Sequence, residues 1–342
     1  GPPGRAPAGA VPGRPPSIMS SILDGKVVLV TGATGSFGRQ FLKHALETDV
    51  EKLIVFSRDE LKQYNLQQEH YGEERLRFFL GDVRDRDRVY RAFDGVDFVV
   101  HAAALKQIPA AEYNPFEFVK TNILGAQNII DAAIDRGVEK VVALSTDKAS
   151  SPINLYGATK LVSDKLFVAG NSYVGTHETR FGVVRYGNVL GSRGSVVPRF
   201  KALEAGEKCP ITDKRMTRFW ITLDQGIRLV LHAFETMEGG ETFVPKIPSM
   251  KMMDMATALA PEADIEFIGI RPGEKLHEEM ISPNDARRTV DRGTHYVILP
   301  DIGKQDPKAD KLGSPVPPGF HYSSEKNEDW LDHERLHGML DG

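Results

Sequence analysis

Residues 145–160 carry two kinds of reactive side chain within one short stretch. Thr146, Tyr156 and Lys160 form one set, and the adjacent Asp147 and Lys148 form another. Tyr156 and Lys160 fall on a predicted helix at a spacing that places them on one face, about 6 Å apart along its axis. A nearby ammonium favours the phenolate of Tyr156, and the hydroxyl of Thr146 can orient an alcohol. This set predicts oxidation of a secondary alcohol by hydride transfer.

Asp147 and Lys148 predict an elimination in addition to the oxidation. Once a sugar alcohol becomes a ketone, the proton on the next carbon turns acidic and the hydroxyl one carbon further can leave. That elimination needs a base and a proton donor, and we expect Lys148 as base and Asp147 as acid. These roles require the pKa of Lys148 to fall from about 10.4 and the pKa of Asp147 to rise from about 3.9. The alternative interpretation is an ion pair at the end of a strand.

The elements that must position these side chains alternate between short β-branched runs and amphipathic stretches. Strands are predicted at Val27–Thr31, Leu53–Ser57, Arg77–Leu80, Phe98–His101, Val141–Ser145 and Gly182–Tyr186. Helices are predicted at Phe37–Glu47, Glu60–His70, Arg86–Phe93, Phe116–Arg136 and Tyr156–Ala169. Alternation of this kind predicts an α/β fold, a Rossmann-type doubly wound parallel sheet, with a smaller interleaved C-terminal substrate-binding region. We divide the chain into a disordered leader (1–20), a dinucleotide-binding domain (21–190) and a mainly substrate-binding region with a C-terminal extension (191–342).

A glycine-rich turn follows the first predicted strand. Gly32 permits the tight turn, Gly35 lets the backbone approach a pyrophosphate, and Gly38 lets the next helix pack closely. The helix N-terminus then presents amide donors and a positive dipole to the phosphates. The turn predicts a dinucleotide site that also includes Thr34, Ser36 and Phe37.

The end of the second strand favours NADP over NAD. A carboxylate at this point binds the ribose 2′-hydroxyl of NAD, whereas cations accept the 2′-phosphate of NADP. Ser57 and Arg58 come first and Lys62 follows one turn later, although the neighbouring Asp59 leaves NAD open. Further cofactor contacts are expected from Asp82, Val83, Ala102, Ala103, Ala104, Asn122 and Val189, as well as from Tyr156 and Lys160.

Composition excludes several other classes of function. The net charge of −4 gives no basic face for nucleic acid. No apolar run approaches the roughly 20 residues of a membrane span. The single cysteine, Cys209, fits a reducing compartment, and we expect a cytoplasmic protein. A zinc-protease pattern, His333 to His337, lies too near the end of the chain to build a cleft, so no metal is expected.

In these residues the chain resembles the extended short-chain dehydrogenase/reductase family. Within it the chain is similar to the inverting UDP-N-acetylglucosamine 4,6-dehydratases of pseudaminic acid biosynthesis. The likeness runs from about residue 23 to the C-terminus and rests on the motifs at 31–38, 57–62, 81–85, 101–106, 145–149, 185–198, 210–213, 216–220 and 271–275. Thr-Asp-Lys stands where many relatives have Thr-Asp-Glu, and Tyr156 stands where relatives that retain the C5 configuration have Met. Both features favour the branch that inverts C5.

The resemblance implies a substrate and its binding residues. The substrate is UDP-N-acetylglucosamine, and the implied contacts are Lys106, Asn188, Val197, Lys201, Thr212, Arg215, Arg218, Arg271 and Glu274. It also implies tightly bound NADP and a homo-oligomer, with a hexamer as one expectation. A UDP-sugar C4 epimerase and a C5-retaining dehydratase are the alternatives, because both share the Tyr-Lys oxidation.

Overall fold

The computed structural model describes residues 21–192, 195–301 and 313–341. The predicted leader lies outside the described residues. The first half of the described chain alternates strands and helices: β1 Val27–Thr31, α1 Ser36–Leu46, β2 Lys52–Ser57, α2 Glu60–Glu69, β3 Leu76–Leu80, α3 Arg86–Ala92, β4 Phe98–His101, α4 Ile108–Tyr113, α5 Pro115–Phe118, α6 Gly125–Asp135, β5 Lys140–Thr146, α7 Leu155–Gly170 and β6 Arg180–Tyr186.

The second half has shorter elements: β7 Asn188–Val189, α8 Val196–Lys201, β8 Lys208–Ile211, β9 Thr217–Ile221, α9 Leu223–Thr236, β10 Thr242–Pro245, β11 Ser249–Lys251, α10 Met252–Leu259, β12 Asp264–Phe267, β13 Glu279–Ile281, β14 Thr289–Asp291, β15 His295–Ile298, β16 Ser314–Pro315, β17 Tyr322–Ser323 and α11 His333–Asp341. Single 3₁₀ turns occupy Asp147–Ala149 and Asp285–Arg288.

The main sheet confirms the predicted doubly wound fold. Its strand order is β16-β14-β15-β10-β6-β5-β4-β1-β2-β3. The strands from β10 to β3 in this order run parallel, whereas β15, β14 and β16 are antiparallel additions at one edge. Parallel strands need crossover helices, and these cover both faces of the sheet. The division of the chain near residue 190 stays a prediction, and β10, β14, β15 and β16 from beyond that point join the main sheet.

Successive side chains along each strand point to opposite faces of the sheet and pack in two separate cores. Val28 and Val30 of β1 pack in the core on the side of α1 and α9, whereas Leu29 packs in the core on the side of α3, α6 and α7. Both sets are fully buried, as expected for a parallel sheet covered on each face. A third core, around Trp220, Met250 and Met255, holds the smaller region together.

The predicted helix Phe116–Arg136 is not continuous. The chain forms α5, then a wide helical turn over Val119–Leu124, and then α6. A wide turn inserts an extra residue and rotates the side chains that follow, which often happens near a functional site. Here it carries Asn122, whose side chain bonds to both backbone groups of Leu105 in the loop after β4.

Gly38 should be essential for the packing of α1. A Cβ atom at this position would lie 2.4 Å from the Cα of Ala33, a contact with backbone that cannot move easily. We therefore expect Gly38→Ala to lower the free energy of unfolding by about 1–3 kcal/mol, as overpacked sites do. Urea unfolding followed by circular dichroism measures this change.

Gly226→Ala is the matched control, because Gly226 also lies in a helix that packs on this sheet. Its added Cβ would be 3.8 Å from the nearest atom, the Cε2 of Phe37, which is an ordinary contact. Stability of this variant should be unchanged or slightly higher, since alanine favours helix. Equal losses in both variants would contradict the packing argument.

Candidate active site

The carboxyl ends of the parallel strands open into one cleft. Its volume is about 1060 Å³, and it extends from the glycine turn after β1 to the loops of the smaller region. In open α/β sheets ligands bind at this edge, where the strand order reverses. The cleft brings most of the predicted site residues together.

The glycine turn fits a dinucleotide. Gly32 has a positive φ of 65°, and a Cβ there would lie 2.9 Å from the backbone nitrogen of Ala103. The turn is closed by a hydrogen bond from the Gly35 N–H to the Gly32 carbonyl, and α1 begins immediately afterwards at Ser36. The chain thus leaves a cradle without side chains at a helix N-terminus, which is what a pyrophosphate requires. Thr34, Phe37 and Gly38 also line the cleft here.

The residues after β2 occupy the expected place, but their charges are already paired. Lys62 lies 2.8 Å from the carboxylate of Asp59, which caps α2. Arg58 is half exposed and lies 3.6 Å from the carboxylate of Asp82. The hydroxyl of Ser57 is 2.9 Å from that of Thr34. A phosphate group at this point would compete with carboxylates for both cations.

Thr146, Tyr156 and Lys160 lie in one cleft, as their spacing predicted. Thr146 ends β5, while Tyr156 and Lys160 lie on one face of α7, and all three line the cleft. Asn154 caps α7 by accepting a hydrogen bond from the N–H of Gly157, which fixes where the helix begins. The Lys160 ammonium donates to the carbonyl of Leu144 at 2.8 Å. Strand, cap and helix therefore hold the three groups together.

The pKa of Tyr156 is raised to about 12, because burial outweighs the opposing effects of Lys148 and the hydrogen bond with Thr146. Burial likewise lowers the pKa of Lys160, against the effect of Asp164. The expected phenolate is therefore not favoured in the ligand-free chain. A second positive charge in the cleft is needed to bring the tyrosine towards its base form.

Lys148 lies between two buried carboxylates. Its Nζ is 3.0 Å from the Oδ1 of Asp147 and 3.3 Å from the Oε1 of Glu278. Asp147 is fully buried and Glu278 is 2% exposed, whereas the Lys148 side chain is 20% exposed and lines the cleft. The hydroxyl of Thr146 also donates to the Oδ1 of Asp147, at 3.0 Å.

Of the two expected pKa shifts, one is confirmed and the other is wrong. Burial raises the pKa of Asp147, against the attraction of Lys148, so the prediction for this carboxyl is confirmed. The prediction for Lys148 is wrong: burial would lower its pKa, but Asp147 and Glu278 together raise it above its ordinary value. No sequence pattern indicated the second carboxylate. In the ligand-free chain Lys148 is therefore an ammonium.

Glu278 is the functional candidate that sequence reasoning missed. It lines the cleft and precedes β13 in the segment after the Arg271–Lys275 motif. Its neighbour Glu279 has the same residue type, but bonds to Ser150, Ser151 and His321. Only the registry of β13 against β17 decides which of the two carboxylates points at Lys148, and the sequence pattern does not contain that information.

Most implied substrate contacts lie in the cleft. They are Lys106, Asn188, Thr212, Arg218, Arg271 and Glu274. Val189 and the cofactor candidates Asp82, Val83, Ala102, Ala103 and Ala104 line it as well. Burial, together with the charge of Lys148, lowers the pKa of Lys106, which indicates that the two amines face the same space.

Four predicted binding residues, and also the predicted acid Asp147, do not line the cleft. In α8 the side facing the cleft carries Val196, Arg199 and Phe200, so Val197 and Lys201 fall on other faces. Val197 packs in the third core, and Lys201 is exposed. Arg199 is thus the cation that the helix presents, two residues before the predicted Lys201.

The other two exceptions are Arg215 and Asn122. Arg215 is 64% exposed and forms two hydrogen bonds with the carboxylate of Asp213 on the surface. Asn122 is buried and bonds to Leu105 and to the hydroxyl of Thr159. It therefore positions the loop after β4 and does not reach into the cleft.

No helix among the described residues is long and apolar enough to pass through a bilayer. Among those residues there is also no cluster of three or more histidine, cysteine or acidic side chains suited to a metal ion.

Comparisons with known proteins agree with this site. A family model described as "Polysaccharide biosynthesis protein" matches residues 28–300. The chain is 53% identical over 325 residues to a Campylobacter jejuni protein named UDP-N-acetylglucosamine 4,6-dehydratase (inverting), covering 92% of this chain and 97% of that protein. It is 42% identical over 285 residues to a Rickettsia canadensis protein named UDP-glucose 4-epimerase, covering 81% and 83%. The solved structure of Pen from Bacillus thuringiensis superposes with a TM-score of 0.85 at 36% identity, covering 93% of this chain and 97% of that one.

Replacing Lys148 by methionine should make stability depend on pH. Without the ammonium, Asp147 and Glu278 are left as two buried carboxylates, and removing one partner of a buried ion pair costs about 3–5 kcal/mol. When folding raises the pKa of a carboxyl, that carboxyl stabilises the folded state at low pH. This stabilisation is lost as the pH rises through the pKa of the folded state. We expect the loss in Lys148→Met to be largest at pH 8 and to shrink towards pH 5, as measured by urea unfolding.

Lys165→Met, on the neighbouring helix α7, provides the control. Lys165 is 59% exposed and pairs with Asp301 on the surface, where ion pairs contribute little. Its stability should follow the wild type at both pH values. A Lys148→Met protein with a pH-independent loss would refute the assignment of buried, ionised partners.

Proposed function

Because the chain belongs to the polysaccharide biosynthesis protein family, we propose that it removes water from UDP-N-acetylglucosamine across C5 and C6 with inversion at C5. It shares this family with the extended short-chain dehydrogenase/reductases that act as sugar-nucleotide 4,6-dehydratases. The product would be UDP-2-acetamido-2,6-dideoxy-β-L-arabino-hex-4-ulose, and the reaction would be the first step of pseudaminic acid biosynthesis. The observation that carries the proposal is the contact of Lys148 with Asp147 beside Thr146 and Tyr156. An enzyme that only oxidised and reduced an alcohol would not need this second acid–base pair.

Oxidation at C4 is the task of Thr146, Tyr156 and Lys160. When bound, a nicotinamide dinucleotide supplies a reversible hydride acceptor, so that the complete reaction has no net change of oxidation state. Thr146 orients the C4 hydroxyl, and Tyr156 takes its proton. Lys160 lies one helical turn from Tyr156 and supports the phenolate electrostatically. The resulting ketone acidifies the proton on C5.

Elimination is the task of Asp147 and Lys148. Lys148 reaches the cleft, whereas Asp147 lies beneath it and contacts the cleft only through the Lys148 amine and the Thr146 hydroxyl. Transfer of one proton from Nζ to Oδ1 turns the ion pair into a neutral amine and a carboxylic acid. The amine can then accept the C5 proton, and the acid can protonate the departing C6 hydroxyl through its neighbours. Elimination returns both groups to the charged state.

Substrate binding would draw on the cations at the far end of the cleft. Arg199, Arg218 and Arg271 line that part, and guanidinium groups bind diphosphate oxygens in pairs. Glu274 is 2.5 Å from Arg271 and 3.4 Å from the hydroxyl of Thr212, so it is placed to accept from a ribose hydroxyl. Lys106 and Asn188 lie nearer to Lys148 and suit the sugar.

The cofactor that we propose is NADP. Support comes from Ser57, Arg58 and Lys62, which border the cleft at the end of β2, where the adenosine ribose binds in folds of this kind. Asp59, the residue that left NAD open, caps α2 and bonds to Lys62. Its carboxylate is therefore engaged within its own helix.

We also propose that the chain works as a cytoplasmic homo-oligomer. Large apolar side chains on α4, α5, α7 and the loop before α7 are exposed: Tyr113 is 87%, Phe116 73%, Ile153 57% and Val162 42% exposed. Exposed apolar surface of this kind favours self-association. The one cysteine is a buried free thiol, in keeping with a reducing compartment.

A UDP-sugar C4 epimerase is the second candidate, since relatives with that name are 42% identical to the chain. The Tyr156 and Lys160 set serves both reactions. A third possibility, a dehydratase that retains C5, differs only in the face from which C5 is reprotonated.

The product of UDP-N-acetylglucosamine separates these functions. We expect a nucleotide sugar lighter by one water, about 18 mass units, without accumulation of reduced cofactor, because the hydride returns to the product. Mass spectrometry and the C5 proton couplings in NMR identify it. Unchanged mass with a new C4 configuration would instead establish the epimerase, and a D-configured C5 would establish the retaining dehydratase.

Lys148→Met tests the base in the same assay. The variant should still bind NADP, which the glycine turn holds, but should not incorporate solvent deuterium at C5. Incorporation at the wild-type rate would remove Lys148 from the role of base.

Arg58→Ala tests the cofactor preference. Loss of a charge-assisted hydrogen bond to a 2′-phosphate costs about 1.5–3 kcal/mol, which corresponds to roughly 10- to 150-fold weaker NADP binding. NAD binding should change less than threefold, because NAD has no phosphate at this position. Calorimetry on cofactor-stripped protein measures both affinities, and an equal effect on the two cofactors would contradict the proposal.

A further inference from the structure

Glu278 is the second carboxylate in contact with the proposed base, and it comes from a distant part of the chain. Its Oε1 is 3.3 Å from the Nζ of Lys148 and 3.8 Å from the Nε of Arg218. Its Oε2 is buried and has no hydrogen-bond donor among the described residues, with the Nζ of Lys275 at 4.0 Å. A buried carboxylate with one incompletely paired oxygen is costly unless its charge is used.

The backbone of Glu278 is held rigidly. Its N–H donates to the hydroxyl of Ser324 at 2.9 Å, and its carbonyl accepts from the N–H of Ser324 at 2.8 Å. Ser324 follows β17, which pairs with β13 directly after Glu278. The side chain therefore starts from a fixed point 130 residues beyond Lys148 in the chain (278 − 148). A carboxylate fixed in this way can define the direction of a flexible lysine.

The charges around Lys148 come from several elements. Asp147 belongs to the same 3₁₀ turn, and Glu278 comes from the start of β13. Arg218 of β9, Lys106 of the loop after β4 and the phenol of Tyr156 on α7 also face the amine. Two carboxylates thus oppose two neighbouring cations, and the amide oxygen of Asn188 is a further, neutral acceptor at 3.5 Å from Nζ.

We propose that Glu278 is a positioning residue for Lys148: it fixes the direction of the amine and keeps it charged until substrate arrives. The proposal deepens the proposed function, on which its catalytic part rests. Glu278 remains ionised throughout, while a single proton moves between Nζ of Lys148 and Oδ1 of Asp147. One N–H bond breaks and one O–H bond forms, so the pair gains or loses no proton.

The charge balance around Glu278 agrees with this role. Burial would raise its pKa, but Lys148, Arg218 and Lys275 together lower it. Asp147, in contrast, has its pKa raised by burial. Of the two carboxylates beside Lys148, Asp147 is therefore the one that can take up the proton, and Glu278 is the permanent anion.

Two variants test the charge and the length of the Glu278 side chain separately. Glu278→Gln keeps the size of the side chain and removes the charge, whereas Glu278→Asp keeps the charge and shortens the reach by one methylene. Glu279→Gln is the matched control, since Glu279 is the adjacent carboxylate and bonds to Ser150, Ser151 and His321 instead of Lys148. Thermal unfolding of each variant verifies that it is folded.

The first measurement needs no substrate. Competitive labelling of the cofactor-loaded protein with acetic anhydride, read by peptide mass spectrometry across a pH series, gives the neutral fraction of Lys148. We expect Glu278→Gln to increase labelling of Lys148 at pH 8 at least tenfold over wild type and over Glu279→Gln. Labelling within twofold of wild type would overturn the claim that Glu278 holds the charge.

The second measurement uses the dehydration assay. Glu278→Asp should lower kcat at least tenfold with KM changed less than threefold, because the amine is misdirected while the substrate still binds. A wild-type kcat would overturn the positioning claim. If the wild type forms no dehydrated product but the labelling shift is present, the proposed function fails and the contact of Glu278 with Lys148 stands. If dehydration occurs and both variants behave as wild type, the role of Glu278 fails alone.

Discussion

The ammonium of Lys148 between two buried carboxylates is the interaction on which the rest of the site depends. Each buried charge loses several kcal/mol of hydration, and only good geometry with opposite charges restores that loss. The geometry comes from three separate parts of the fold. The end of β5 supplies Asp147 and Lys148, the start of β13 supplies Glu278, and β9 supplies Arg218. A cluster built from distant segments specifies how the smaller region sits on the sheet.

The same sheet edge explains why the residues proposed for oxidation and for elimination share one cleft. Parallel strands have their carboxyl ends on the same side of the sheet. The loops after β1, β4 and β5 therefore lie next to each other, and they carry the glycine turn, the alanines and the acid–base pair. The α7 helix then returns along the sheet and places Tyr156 and Lys160 beside Thr146. What distinguishes the site from that of a simple dehydrogenase is the residue pair directly after Thr146.

Local features were predictable from the sequence, and features set by distant contacts were not. The glycine turn, the alternation of strands and helices and the face shared by Tyr156 and Lys160 follow from spacing alone, and the structure has each of them. The resemblance implied Val197 and Lys201, but in the short helix α8 neither sequence spacing nor the resemblance shows which face meets the cleft, and Arg199 meets it instead. The pKa direction of Lys148 failed for a related reason, since the deciding carboxylate lies in another part of the chain.

The acid–base pair also shows why a motif of two residues does not define a base. In water, the pKa values of lysine and aspartate differ by about 6.5 units, which favours the ion pair by about 9 kcal/mol. Burial in the cleft wall removes much of this preference, because it penalises the two charges and not the neutral forms. Glu278 restores part of the preference by attracting the ammonium, and Arg218 opposes it. The position of the proton between Nζ and Oδ1 thus depends on opposing contributions from burial and from neighbouring charges. An Asp-Lys pair acts as an acid and a base only in a setting of this kind, and Glu278 belongs to that setting as much as the motif does.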